Sequence, residues 1–317
     1  MNIKPIGRYT FRNDHYYFYN GGSGFSFKMN GKSVALDLEF LPKEGYFYII
    51  IDRDYNNKIK VLFSKGIYTY NFDRGGVHYI DVVKANESND NTLVLKGLEV
   101  EGELLNYDHQ YNGRVKVYGD STIAGFGILS HEGEASIHNS DSVRDFCFHA
   151  LYELNIDMNM LFASGFGLAF SIYTNPNNIG IINFIDKVGV FKDEVWKDED
   201  KYDLLIISLG TNDNSYIQKD GYVDQKRVDE FKEKYKLLID SEINKNKDIK
   251  ILMVYGTLKE EQVYHLYKET YEYLAPLYKN LFIHKFNGDS SAISNHAYVD
   301  SHDEMSKELI NTINKIL

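Results

Sequence analysis

Hydrophobic and polar positions follow one rhythm in the first third of the chain and another in the rest. Up to about residue 100, short runs rich in Tyr, Phe, Val and Ile recur at 16–19, 24–29, 33–40, 46–52, 58–63, 67–72, 79–84 and 92–100. Turn residues such as Asn30-Gly31, Lys65-Gly66 and Arg74-Gly75-Gly76 separate them, supplying the positive-φ positions that hairpins use. Strands at roughly ten-residue intervals predict a β-sandwich of the jelly-roll kind. No helical period competes with them.

After residue 111 the pattern alternates between strand and helix. A strand at 115–118 leads to a helix at 140–154, capped by Ser140 or Asp141 and carrying Val143, Cys147, Ala150 and Leu154 on one face. Strands follow at 157–161, 204–209, 251–254 and 281–285. The run Leu204-Leu205-Ile206-Ile207 is unbroken, as expected of a parallel strand covered on both faces. The helices between and after them include one with Val228, Phe231, Tyr235 and Leu238 inward, one at 260–273, and a last one at 303–316. This alternation predicts a three-layer α/β/α domain on a parallel sheet. The expected domains are therefore 1–106, a β-sandwich, and 107–317, the α/β domain.

Composition narrows the functional classes. A net charge of −11 argues against nucleic acid and anionic membrane as partners. No run of about 18 apolar residues is present, and the first 20 residues lack the apolar core of a signal peptide. The expectation is a soluble cytoplasmic protein, or a secreted one if a leader has been removed. A single cysteine, Cys147, excludes an internal disulfide framework and a multi-Cys zinc site. It lies on the inner face of its helix and reads as core. His131, His138, His149 and His296 are scattered without ligand spacing, so no metal and no cofactor is expected. The 26 Tyr suit half-buried strands or a sugar-facing surface. The β-sandwich could bind carbohydrate through them, or serve only to shape the edge of a cleft.

The candidate chemistry lies at predicted strand ends, where active sites of open α/β sheets collect. Gly119-Asp120-Ser121 closes the first of these strands, Ala163-Ser164-Gly165-Phe166-Gly167 follows the second, and Gly210-Thr211-Asn212-Asp213 the third. Asp300-Ser301-His302 precedes the last helix. In this order they supply a nucleophile, oxyanion donors and a base held by a carboxylate, the parts acyl transfer requires. In an extended segment, Asp300 and His302 would point the same way.

These blocks resemble the SGNH, or GDSL-type, hydrolase superfamily from about residue 115 onward. Gly119-Asp120-Ser121 matches its first block, Gly165 its second (with Gly167 as an alternative), Asn212 its third, and Asp300-x-His302 its last. The one-residue spacing in the last block, with a β-sandwich ahead of the hydrolase domain, is similar to carbohydrate esterase family 2. Members of that family usually carry proline after the histidine, where this chain has Asp303. The resemblance implies a serine esterase that removes O-acetyl groups from carbohydrates of the xylan or mannan type. It implies Ser121 as nucleophile, His302 as base and Asp300 as its orienting acid, although some members work with a Ser-His pair alone. Ser121, Gly165 and Asn212 would form the oxyanion hole. Another SGNH ester hydrolase, acting on peptidoglycan, lipid or thioester, is the alternative, and a non-catalytic carbohydrate-binding protein is a further one.

Overall fold

A computed structural model describes residues 2–173, 179–198, 200–218, 222–258 and 261–317. The first eight strands are β1 (Lys4–Ile6), β2 (Tyr9–Arg12), β3 (His15–Phe18), β4 (Gly24–Leu41), β5 (Gly45–Ile51), β6 (Ile59–Phe63), β7 (Lys65–Lys84) and β8 (Thr92–Leu105). They form one antiparallel sheet in the order β2-β3-β8-β4-β7-β5-β6, with β1 against β4. Phe18, Phe25, Phe27, Leu36, Phe47 and Val82, from four of these strands, meet in a common core.

Two expected turns lie inside strands. Asn30-Gly31 falls within the 18-residue β4, and Arg74-Gly75-Gly76 within the 20-residue β7. The register of β4 against both neighbours shifts between Gly31 and Ser33. A β-bulge bends the strand there instead of reversing it. Gly31 is required because a Cβ would lie 2.2 Å from the Glu101 carbonyl oxygen.

The antiparallel strands end at Leu105, and the parallel ones begin at Arg114. Strands β9 (Arg114–Gly119), β10 (Asp157–Phe162), β11 (Leu204–Ser208), β12 (Lys250–Tyr255) and β13 (Leu281–Lys285) form a parallel sheet in the order β10-β9-β11-β12-β13. The helices are α1 (Ser121–Ala124), α2 (Phe146–Glu153), α3 (Thr211–Ile217), α4 (Gln225–Lys245), α5 (Glu261–Leu274) and α6 (Val299–Ile316). Residue 260, the expected start of α5, lies outside the described residues. Apolar clusters form on both sides of the sheet, as a doubly covered parallel sheet requires. Lys116, at the centre of β9, is therefore fully buried, and it is paired with Glu242 of α4 at 2.7 Å and with Asp198. No helix among the described residues is long and apolar enough to cross a membrane.

Two helix starts differ from expectation. Helix α2 begins at Phe146, capped by Asp145, whose carboxylate accepts from Cys147 N at 2.6 Å and Phe148 N at 3.2 Å. Asp141 is engaged elsewhere: it accepts from Tyr48 Oη and Lys60 Nζ of the antiparallel domain, each at 2.6 Å. The last helix begins at Val299, four residues early, and so takes in both Asp300 and His302.

The chain leaves β9 toward β10 on one side and later returns to β11 on the other. This reversal makes the carboxyl ends of β9 and β11 the switch point, where a crevice opens in sheets of this kind. Gly119 pairs with Phe162 of β10 and with Ser208 of β11, so the three strands end level.

Candidate active site

Ser121 emerges directly from β9 into the single turn of α1. Asp120 caps that turn, its carboxylate accepting from Thr122 N at 3.0 Å and Thr122 Oγ1 at 2.9 Å. Gly119 is needed because a Cβ would lie 2.2 Å from Ile123 Cγ1, so the chain can double back this tightly only without a side chain.

The histidine against Ser121 is His296. Its Nε2 lies 2.7 Å from Ser121 Oγ, and its Nδ1 lies 3.0 Å from the carbonyl oxygen of Ile293. A proton on Nδ1, donated to that carbonyl, leaves Nε2 free to accept from the serine hydroxyl. Burial pushes His296 below the ordinary histidine range, which favours the neutral form a general base needs. The ring is positioned by a 3-10 turn, Ile293–Asn295, in which Ser294 and Asn295 adopt positive φ. This turn is tied to the loop behind Ser121: Ile293 N donates to Ser130 O at 3.1 Å, and Val299 N to Ile128 O at 3.0 Å. Among the described residues no carboxylate hydrogen-bonds to His296.

His302 and Asp300 are not brought to Ser121, which corrects the expectation that they supply the base and its acid. His302 is buried on the inner stripe of α6 with Val299, Met305, Leu309 and Ile313. Its Nδ1 accepts from Phe146 N at 3.1 Å, satisfying one of the free donors at the start of α2. Burial drives its pKa down to about 3. Asp300 is exposed in the first turn of α6, where a carboxylate suits the helix dipole. The cause is the period. Residues two apart share a face in a strand but diverge by about 200° in a helix, and this segment is helical.

The remaining predicted residues gather at the switch point. Gly165 follows β10 at φ +79°, and a Cβ there would lie 2.5 Å from the ring of Tyr173. Among the described residues neither its N–H nor that of Ser121 has a hydrogen-bond acceptor. The alternative, Gly167, already donates its N–H to Phe170 O at 2.7 Å. Asn212 lies in the first turn of α3, its amide nitrogen 3.1 Å from Phe166 O and 3.5 Å from Asp120 Oδ2. Asp213 accepts from Leu168, Ala169 and Phe170 N at 2.7–2.9 Å and so clamps the loop that carries Gly165. Burial raises Asp120 to about 6 and Asp213 to about 7.

One contributor comes from the antiparallel domain. Glu87, in the loop between β7 and β8, accepts from Ser164 N at 2.9 Å, one residue before Gly165. Buried Lys84 fixes that loop by donating to Asn86 O at 2.5 Å and Glu87 O at 3.1 Å. Nothing in the sequence linked Glu87 to Ser164. His296 did have a signal: carrying the apolar stripe of α6 back one turn puts His302 inside it and leaves His296 ahead of the helix. Among the described residues, no group of three or more His, Cys, Asp or Glu could hold a metal ion.

Together the level strand ends, the serine–histidine contact and the donors around it define a hydrolase of the SGNH type. The chain belongs to the GDSL-like lipase/acylhydrolase family, which matches residues 117–312, and it is a carboxylic ester hydrolase. Residues 5–107 match the carbohydrate esterase 2 N-terminal domain. Among solved structures, a family two carbohydrate esterase from Cellvibrio japonicus is similar, with 18% identity, 99% of this chain and 95% of that one covered, and a TM-score of 0.85. A family two carbohydrate esterase from Clostridium thermocellum, in complex with cellohexaose, has 20% identity, 99% and 98% coverage and a TM-score of 0.85. An acetyl xylan esterase from the rumen bacterium Butyrivibrio proteoclasticus has 16% identity, 99% and 95% coverage and a TM-score of 0.83. Identities this low speak for the fold. No curated protein sequence matched.

Proposed function

We propose that this protein is a serine esterase that removes O-acetyl groups from carbohydrates through an acetyl-enzyme. The observation that carries the chemistry is the 2.7 Å contact between Ser121 Oγ and His296 Nε2 at the sheet's switch point. Ser121 Oγ attacks the acetyl carbonyl carbon as His296 Nε2 takes its proton. The oxyanion is received by the N–H groups of Ser121 and Gly165 and by the Asn212 amide, which turns from Phe166 O toward it. The bond from the carbonyl carbon to the sugar oxygen then breaks, and His296 returns its proton to that oxygen. Water attacks the acetyl-serine by the same route, His296 again relaying the proton, and acetate leaves. The Ile293 carbonyl takes the place of a triad carboxylate. It holds the ring in the productive tautomer and accepts from the imidazolium, though as a neutral acceptor it stabilises that charge less.

Three findings support carbohydrate as the substrate class: the match of residues 5–107, the cellohexaose bound to a similar esterase, and the xylan named for another. Tyr173, 54% exposed beside Gly165 and packed on Phe166, offers a ring face of the kind sugars stack on. The test is hydrolysis of 4-nitrophenyl acetate by wild type and Ser121→Ala. The expected loss is on the order of 10^4-fold or more. Equal rates, or two inert proteins, would overturn the serine-esterase reading. Acetate release from acetylated xylo- and manno-oligosaccharides then distinguishes the sugar.

A further inference from the structure

The other end of the parallel sheet carries a second feature that acyl transfer does not use. A cavity of about 280 Å³ opens where the N-terminal strands meet the beginnings of β9 and β10. Tyr9 and Trp196 form one wall, their rings edge to face with centroids 5.6 Å apart. Lys4, Arg114, Asp157, Lys197 and Asp200 supply its charge. Arg114 bridges the two carboxylates, with nitrogens 3.5 Å from Asp157 and 2.5 Å from Asp200, and Lys4 Nζ lies 2.8 Å from Asp157. Trp196 is the only tryptophan in the chain. Its indole N–H is buried with no hydrogen-bond partner among the described residues.

We propose that this cavity is a second, non-catalytic binding site for one or two residues of a neutral polysaccharide chain. A sugar presents apolar C–H faces and a ring of hydroxyls that both donate and accept. Tyr9 and Trp196 meet the first requirement. The Arg114–Asp157–Asp200 group meets the second. The arrangement favours a neutral ligand over an anion because two of the three lining cations, Lys4 and Arg114, already have carboxylate partners, and Asp157 and Asp200 in the same lining oppose the attraction of an anion to Lys197. The volume is near the lower end for small-molecule sites and suits a short stretch of sugar. Arg114 begins the strand that ends just before Ser121, so about 20 Å of extended chain separates the cavity from the nucleophile. A chain held there is tethered near the active site without occupying it, which raises the local concentration of its acetyl groups.

The choice of sugar rests on the carbohydrate reading above, but the test does not depend on esterase activity. Because Trp196 is the sole tryptophan, its fluorescence reports on this cavity directly. Xylohexaose and cellohexaose, both unacetylated, are titrated into wild type, Asp200→Ala and Tyr9→Ala. For wild type we expect a saturable emission change with at least one of the two sugars at millimolar concentration or below. Each variant should weaken it about tenfold or more while hydrolysing 4-nitrophenyl acetate at the wild-type rate. On acetylated polymeric xylan, by contrast, the variants should show a raised KM. No emission change with either sugar up to about 10 mM, or an unaltered titration in both variants, would overturn the site. An emission change with inorganic phosphate but not with sugar would replace it with an anion site. A sugar response in a protein inert toward 4-nitrophenyl acetate would leave the cavity standing and remove the esterase. An active esterase without a sugar response would do the reverse.

Discussion

His296 and His302 lie on two adjoining segments that treat the same side chain in opposite ways. Both are buried, both find hydrogen-bond partners, and burial lowers the pKa of both. His296 sits on an irregular turn with two positive-φ residues, its Nε2 toward Ser121. His302 sits on a regular helix and spends Nδ1 on a backbone N–H at the start of α2. The irregular backbone is what lets a ring reach the switch point. A helix directs its inward side chains by period alone, and here the period directs His302 into the core. A buried histidine near a serine therefore says little until the backbone that carries it is known.

Removing each ring in turn separates the two histidines by their effect on turnover. His296→Ala should lower kcat for 4-nitrophenyl acetate by about 10^3- to 10^4-fold, the loss of a general base. His302→Asn, which keeps an acceptor for Phe146 N, should stay within a few-fold of wild type, and Asp300→Ala should match it. Steady-state kinetics on the three variants decides. A collapse of activity in a folded His302→Asn protein, with His296→Ala still active, would restore the assignment made from Asp300-x-His302.

A smaller effect is expected at the oxyanion side. Asn212→Ala should reduce kcat on the order of a hundredfold or more with little change in KM, because the amide acts on the charge that develops in the transition state. The ground-state bonds of Asn212 to Phe166 O and Asp120 do not bind substrate. A KM effect with unchanged kcat would instead make Asn212 a substrate-binding residue.

What was legible in the sequence divides along the same line. Elements set by local period could be read: the alternating strands and helices, the buried run of β11, and the blocks around Ser121, Gly165 and Asn212 that follow strand ends. What could not be read depends on long-range pairing. The Asn30-Gly31 pair resembles a hairpin turn, but the partner strands β7 and β8 run past it and hold it as a bulge. Ser140 and Asp141 are good cap residues, yet Asp141 is drawn to Tyr48 and Lys60, and the cap passes to Asp145. Asp300-x-His302 matched a motif in spacing while lying on a helix, where that spacing separates the two side chains. Glu87 reaches Ser164 across 77 residues, a contact with no local trace.

The two histidines also separate by pH. His296 lowered below its ordinary value of 6.5 should appear in the rate: kcat/KM falls with acid only as pH drops below that value, and the limb disappears from any profile of His296→Ala. His302 should appear in stability. Its folded pKa is about 3 against 6.5 unfolded. Between those values the unfolded chain binds a proton that the folded protein excludes, so stability falls as pH falls through this window, by up to about 1.4 kcal/mol per pH unit for one proton. His302→Asn lacks this term. At pH 7 it should be the less stable protein, because it leaves the space of an imidazole beside Phe146. As pH drops from 6 to 4 its deficit should shrink by roughly 2 kcal/mol, measurable by urea unfolding at each pH. A constant deficit across that range would mean that His302 takes up its proton in the folded state, which a side chain packed on the inner stripe of α6 should not do.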